Sequence, residues 1–285
     1  MDESKILIIG ANGQLGKALH AQYPNAHVTN NVAELDITDE KSLQNFNWSS
    51  ISTILNASGY TNVDGAETTE GRVVAWRVNA TGVANLANLA NSKSMTLIHI
   101  STDYVFDGTK IPHTEDEPLS PLSSYGASKA AGDVAVRLVP KHYLVRTSWI
   151  IGDGGNFVRT MLGLGKKGVN PAVVSDQIGR PTFTSELARA INHLLQKKLE
   201  YGVYNMTNDG QPVSWANLAR EIFKEAGLKN QVTDITSEEY FASKPGSAKR
   251  PLSSEFDLSK LKAADFSPRD WQEDIKDYTK KEMQN

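Results

Sequence analysis

Short, unbroken apolar runs recur along the first 150 residues, each ending in glycine or small polar residues. Between them lie stretches whose apolar positions fall three and four apart. A run of four to eight apolar residues suits a strand buried on both faces of a parallel sheet, and the 3.6-residue period suits a helix laid across it. The pattern predicts strands at 5–9, 26–30, 52–57, 96–100 and 142–151, and helices from after Gly16 to about 22, at 70–91 and at 124–138. Strand alternating with helix in this way gives an α/β fold with a Rossmann-type, doubly wound parallel sheet.

After residue 151 the rhythm changes. A glycine-rich loop at 152–156 precedes a helix at 157–167, a strand at 171–176, a helix at 185–197, a strand at 202–207 and a helix at 214–227 with Ser214 as N-cap. The remainder, including Lys249-Arg250-Pro251, is less regular, and Lys280-Lys281 reads as solvated helix. Residues 1–151, whose first strand runs into glycines at 10, 13 and 16 and then a helix, the setting of a dinucleotide site, are therefore expected to form an NAD(P)-binding domain carrying the chemistry. Residues 152–285 are expected to form a smaller mixed α/β lobe over the crevice that binds substrate, with the helix near 185–197 as a candidate to return to the main sheet.

Composition narrows the function classes. The 285 residues are 39% hydrophobic and 22% charged, with a net charge of −3, so no basic field argues for nucleic acid or an anionic membrane. There is no cysteine, which removes disulfides, thiolate catalysis and Cys-ligated zinc. The six histidines show no metal-ligand spacing. The N-terminus runs straight into an apolar strand without a signal-peptide pattern, and no apolar stretch is long enough to span a bilayer, so the cytoplasm is the expected address.

The first strand ends in Gly10-Ala11-Asn12-Gly13-Gln14-Leu15-Gly16. Strand, glycine turn and helix form the setting in which such a pattern binds a dinucleotide. Gly10 permits the tight turn, Gly13 lets backbone approach a diphosphate, and Gly16 lets the helix sit close to the sheet, its N-terminal amides facing the phosphates. The residues closing the second strand, Thr29-Asn30-Asn31, include neither the acid that favours NAD nor an arginine that favours NADP, so NADH and NADPH both stay open. Asp36 is placed to face the adenine, and Thr38 and Asp39 are alternative helix N-caps. Gly59 to Thr61 leave a strand end beside the cofactor. Asn79, within a helix, has either a local hydrogen bond or a part in the active site.

Ser101-Thr102-Asp103 gathers polar residues at the end of the fourth strand, where substrate would bind. Tyr125 and Lys129, four apart at the start of a helix, share one face. An ammonium beside a phenol favours the phenolate, making the pair a candidate acid–base couple.

The glycine turn, a Ser/Thr at a later strand end and Tyr125-xxx-Lys129, in that order, resemble the extended branch of the short-chain dehydrogenase/reductase superfamily that acts on nucleotide sugars. The motifs Gly10-xx-Gly13-Gln14-Leu15-Gly16, Asn56 to Asp64, Ser101 to Phe106, Arg146 to Trp149 and Asp176-Gln177-x-Gly179-Arg180-Pro181-Thr182 are similar to those of the dTDP-4-dehydrorhamnose reductase family. The resemblance covers essentially the whole chain. It implies reduction of the C4 ketone of dTDP-4-dehydro-L-rhamnose by NADPH or NADH, the last step of dTDP-L-rhamnose synthesis. Tyr125 would be the proton donor, Thr102 would bond the carbonyl oxygen, and Lys129 would hold the nicotinamide ribose and lower the pKa of Tyr125. Thr102, Asp103 and Trp149 would contact the sugar. Gly13, Gln14, Leu15, Asp36, Ile37, Gly59, Tyr60 and Thr61 would line the cofactor.

Related 4,6-dehydratases typically place a basic glutamate after the Thr-Asp pair; here Tyr104 stands there, which removes the base that elimination needs. Some members carry an acid after the glycine turn for a magnesium-bridged dimer. Lys17-Ala18-Leu19 stands here instead, so no such metal bridge is expected, and the chain is a monomer or an unbridged homodimer. Gly65 replaces a common lysine. The alternatives are a ketoreductase or epimerase for another nucleotide sugar, or a non-catalytic NADP-binding regulator.

Overall fold

The computed structural model describes residues 1–284. Six parallel strands build one sheet: β1 (Ile6–Ile9), β2 (His27–Thr29), β3 (Thr53–Asn56), β4 (Thr96–Thr102), β5 (His142–Thr147) and a last strand, Gly202–Asn205. Their spatial order is β2-β1-β3-β4-β5 and then Gly202–Asn205. The winding reverses between β1 and β3, and the crevice outside the carboxyl ends at such a reversal is where ligands bind. The helices are α1 (Gln14–Gln22), α2 (Glu40–Asn45), α3 (Thr69–Trp76), α4 (Val83–Ser92), α5 (Ser124–Val136), α6 (Phe157–Lys166), α7 (Thr184–Lys197) and α8 (Trp215–Glu225). Two shorter helices and a long C-terminal one, Trp271–Gln284, follow.

Successive strand residues point to opposite faces, which is why the apolar runs are unbroken. Ile6 and Ile8 join Leu15 and Leu19 of α1 and Leu187, Ile191 and Leu194 of α7. Leu7 and Ile9 join Val83 and Leu86 of α4 and Val136 of α5 on the other side. A third cluster, with Ile151, Val158, Leu162, Phe223, Trp271 and Ile275, is the core of the smaller lobe.

The structure differs from the sequence reading in three places. The helix near 185–197 does return to the main sheet, α7 lying against α1; what differs is that the next strand, Gly202–Asn205, also leaves the lobe and pairs with β5, so residues 184–205 return to the sheet. The long strand expected at 142–151 is two: β5 stops at Thr147, Trp149 takes a left-handed φ of 48°, and Ile150–Ile151 pairs with Thr182–Phe183 in the lobe. The single helix expected at 70–91 is interrupted by a π turn, Arg77–Gly82, between α3 and α4. Of the two candidate caps of α2, Asp39 is the one used, accepting the Lys41 amide; Ser214 caps α8 through the Asn217 amide.

Candidate active site

The glycine turn fits its expected role residue by residue. Gly10 has φ 82°, and a side chain there would meet the Ser58 backbone at 2.9 Å. Gly13 is the N-cap of α1, with extended backbone and no side chain to cover the helix amides. A Cβ on Gly16 would stand 2.1 Å from the Gly10 carbonyl oxygen, so this glycine serves the helix–sheet contact. Gly16 alone of the expected cofactor residues does not line the cavity that opens here.

That cavity, about 670 Å³, runs along the carboxyl ends of the strands. Gly10, Gly13, Gln14 and Leu15 form one wall, with Asp36, Ile37 and Gly59 to Thr61 beside them. Thr102, Asp103, Tyr125, Lys129 and Trp149 form the other end. A helix N-terminus left open by Gly13, beside a glycine-rich turn and a cavity of this size, fits a dinucleotide diphosphate. The Gln14 side chain is otherwise engaged: it accepts from the Gly152 amide at 2.9 Å and donates to the Gly155 carbonyl at 3.1 Å, leaving only its backbone for a cofactor. Asp36 accepts from the amide and hydroxyl of Thr38, both at 2.8 Å.

Asn79 sits in the π turn and is buried. Its side chain accepts from the Tyr60 amide at 2.9 Å and donates to the Tyr60 carbonyl at 3.0 Å and to Ser128 Oγ at 3.1 Å. It thus joins the loop beside the cofactor to the helix carrying Tyr125 and Lys129. π turns recur at functional sites, but a π turn leaves the apolar period almost unchanged, so the sequence did not decide between the two readings of Asn79.

Ser123 caps α5 through the Gly126 amide at 3.1 Å, setting Tyr125 and Lys129 one turn apart, both buried. Burial pushes the Tyr125 phenol well above its usual value, and the nearby Asp103 and Tyr104 add to the effect. Lys129 is pushed down to about 8, by burial against the pull of Asp133. The expected lowering of the Tyr125 pKa by Lys129 is therefore corrected: desolvation dominates and the phenol stays protonated, the state a proton donor needs. The lysine Nζ donates to the Ile100 carbonyl at 2.6 Å and lies 3.3 Å from His99 Nε2.

Thr102 donates its hydroxyl proton to Asp103 at 2.8 Å and accepts from the Tyr104 amide at 3.2 Å. Burial raises the Asp103 carboxyl, whose second oxygen accepts from Ser254 at 2.5 Å. Ser254 lies 151 residues away in the segment after Pro251, and no local pattern marked it. Just before Pro251, Arg250 grips both oxygens of Asp64 at 3.0 Å, and Asp64 also accepts from the Ala248 amide at 3.0 Å. A Cβ on Gly65 would meet the Asn62 side chain at 2.5 Å, so this loop is shaped around glycine.

Trp149 is stacked on Trp215 at the start of α8, with ring centroids 3.6 Å apart and planes within 15°. A Cβ on Gly179 would stand 3.0 Å from the Trp149 ring. Sequence reasoning missed Trp215, although it directly follows the capping Ser214. Arg146, fully buried behind the site, is paired with Asp133 at 3.2 Å and stands over the Phe106 ring at 4.9 Å.

Residues 4–284 match the RmlD substrate binding domain family. The chain belongs to the dTDP-4-dehydrorhamnose reductase family. A curated relative, dTDP-4-dehydrorhamnose reductase of Aggregatibacter actinomycetemcomitans, is 38% identical over 96% of this chain and 97% of its own. The crystal structure of a dTDP-4-dehydrorhamnose reductase from Clostridium acetobutylicum is 40% identical with a TM-score of 0.87, covering 96% of this chain and 97% of the other. One from Bacillus anthracis, in complex with NADP, is 36% identical with a TM-score of 0.88, covering 96% and 98%. As a member of this reductase family, the protein is an NAD(P)H-dependent oxidoreductase acting on a nucleotide sugar. Among the described residues no helix is long and apolar enough to cross a membrane, and no group of three or more His, Asp or Glu could hold a metal ion. Lys17, where some members carry an acid, is paired with Asp153 at 3.0 Å.

Proposed function

We propose that this reductase converts the C4 ketone of dTDP-4-dehydro-L-rhamnose to the alcohol of dTDP-L-rhamnose, with Tyr125, Lys129 and Thr102 as its catalytic residues. The observation that carries the reading is that Tyr125, Lys129, Thr102, Asp103 and Trp149 line the same cavity as the dinucleotide turn. The bound nicotinamide supplies the hydride. Tyr125, kept protonated by burial, gives its proton to the oxygen on which negative charge develops. Lys129 holds the nicotinamide ribose through its Nζ. Thr102, once its hydroxyl turns from Asp103 toward the substrate, bonds the same oxygen as Tyr125. Asp103 contacts the sugar hydroxyls, and Trp149, backed by Trp215, covers the ring face. Gly10, Gly13, Leu15 and the backbone of Gln14 hold the diphosphate, Asp36 and Ile37 the adenosine, and Gly59 to Thr61 the middle of the cofactor. Gly16 acts indirectly, by letting α1 approach the sheet. Residues 1–151 together with 184–205 make the cofactor-binding body, and the rest of the C-terminal half makes the substrate lobe.

The test mixes purified protein, NADH or NADPH and dTDP-4-dehydro-L-rhamnose, and follows reduced nicotinamide absorbance. Oxidation with at least one cofactor is expected; none with either overturns the reading. Tyr125→Phe is expected to lower kcat by about two orders of magnitude or more, the usual range for removing a general acid, with cofactor binding retained. Undiminished turnover would place the proton donor elsewhere.

A further inference from the structure

Beneath Tyr125 and Lys129 runs a line of hydrogen bonds that the proposed reaction does not use. It joins Ser58, Asn56, His99 and Lys129. Asn56 ends β3 and lies in register with His99 on β4, and both are buried in a sheet whose other central positions are largely apolar.

The direction of each bond follows from its donors. The Ser58 amide can only donate, and it donates to Asn56 Oδ1 at 3.2 Å; the Ser58 hydroxyl donates to the same oxygen at 2.6 Å. That fixes the amide of Asn56 with Nδ2 facing His99 Nδ1, 3.0 Å away. An amide nitrogen donates and does not accept, so Nδ1 carries no proton. A neutral imidazole then carries its proton on Nε2, which points at Lys129 Nζ. An ammonium has three donors and no lone pair, whereas a neutral amine can accept.

We propose that His99, held by Asn56 and Ser58 in the Nε2–H tautomer, is a positioning residue that sets the charge of Lys129 by donating to its neutral amine and opposing its ammonium. The consequence for catalysis rests on the reading of Lys129 given above. The Ile100 carbonyl, which accepts from Nζ at 2.6 Å, favours the ammonium; the remaining groups around Lys129 oppose the influence of His99 only weakly. Asp133, one turn further along α5, favours the ammonium, but Arg146 of β5 bonds that carboxylate at 3.2 Å. Tyr125, one turn back, is a protonated phenol. Asp103, beyond β4, is bonded to Thr102 and Ser254. From β3 the network receives only the neutral Asn56 and Ser58. Burial and the lysine charge together hold His99 well below its usual pKa, so it stays neutral.

The direct test is ¹⁵N NMR of the full chain with labelled histidine, the His99 ring being assigned by its loss in His99→Gln. Near neutral pH, Nε2 is expected to be protonated and Nδ1 bare; the reverse overturns the proposal whatever the turnover. The second arm is Asn56→Asp, which keeps the Ser58 bonds but turns an acceptor toward Nδ1. The ring proton is then expected on Nδ1, with Nε2 accepting from the ammonium. The alkaline limb of kcat/KM is expected to move up by about 1 pH unit or more, the scale on which one new charge partner acts. A limb that stays in place while the tautomer reverses overturns the tuning of Lys129. Absence of turnover in the parent protein would count against the proposed reaction instead, and the NMR result would still judge His99.

Discussion

Burial at Lys129 works against its charge, and the conflict has a sign that can be measured. Its folded-state pKa of about 8 lies below the usual lysine value, so between the two the unfolded chain binds the extra proton. This group therefore costs stability at neutral pH, and the cost is relieved as pH rises above about 8. A depression of this size corresponds to about 3 kcal/mol, and losing the bond to the Ile100 carbonyl returns about 1 kcal/mol of that. Lys129→Met is expected to be more stable at pH 7 by about 1–2 kcal/mol while losing activity, the gain shrinking in alkaline buffer. Urea unfolding at both pH values checks it, and equal or lower stability of the variant at pH 7 would refute the account. Cofactor preference can be tested at one side chain, Glu34. Asn30 and Asn31 line the cavity, and Glu34 accepts from the Asn30 amide at 2.9 Å and from the Asn31 side chain at 2.7 Å. Lys129 is the only Lys or Arg lining the cavity among the described residues. Glu34 stands behind these two asparagines rather than in the cavity wall, and its negative charge would oppose a 2′-phosphate at that end, so NADH is expected to give the higher kcat/KM. Glu34→Gln is expected to improve NADPH alone by roughly fivefold, about 1 kcal/mol for one screened charge; an unchanged NADH/NADPH ratio refutes this. The shared helix face of Tyr125 and Lys129 was legible because their spacing is local, whereas Thr102 was proposed from the order of motifs that carries the resemblance. Glu34 and Ser254 were not, because one reaches back across a turn and the other arrives from 151 residues away.

Among the elements, the strands and their order of appearance could be read from the apolar runs because both faces of the sheet are covered. The breaks could not be read, because both are backbone events beneath an unchanged apolar pattern. Trp149 turns left-handed between two β-branched and apolar stretches that by themselves would continue a strand. The π turn at Arg77–Gly82 adds a residue to a helix whose buried positions, Ala75, Val83 and Leu86, still fall on one side. Its position is fixed by contact: a Cβ on Gly132 would stand 2.4 Å from the Asn79 carbonyl oxygen, and one on Gly82 would stand 2.7 Å from Ile37. The turn thereby aims Asn79 at the Tyr60 backbone rather than along its own helix. Asn79→Ala would leave the Tyr60 amide and carbonyl without their partner, at a cost of about 2 kcal/mol. Faster hydrogen exchange at the Tyr60 amide and a raised KM for the cofactor are expected together. Lost stability with unchanged exchange at Tyr60 would mean that Asn79 acts only within its own helix.

Across the whole molecule, the chain crosses between its two bodies more often than a division at residue 151 suggests. After β5 it enters the lobe with Ile150–Ile151, returns through α7 and Gly202–Asn205, and leaves again for α8. The segment 248–254 then reaches back, with Ser254 on Asp103 and Arg250 on Asp64. The lobe strands Ile150–Ile151 and Thr182–Phe183 pair with each other and run directly on from β5 and into α7, so the lobe and the sheet share covalent and hydrogen-bonded connections. The two bodies should therefore melt as one cooperative unit. Ligand that binds only the folded state adds RT ln(1 + [L]/Kd), about 2.7 kcal/mol at a hundredfold excess over Kd. For a chain of this size that is roughly 5–10 °C in Tm. Calorimetry is expected to show a single transition that moves up intact when NADH or NADPH is added. Two transitions, only one of which follows the cofactor, would show instead that the crossings at 150–151 and 184–205 do not couple the bodies.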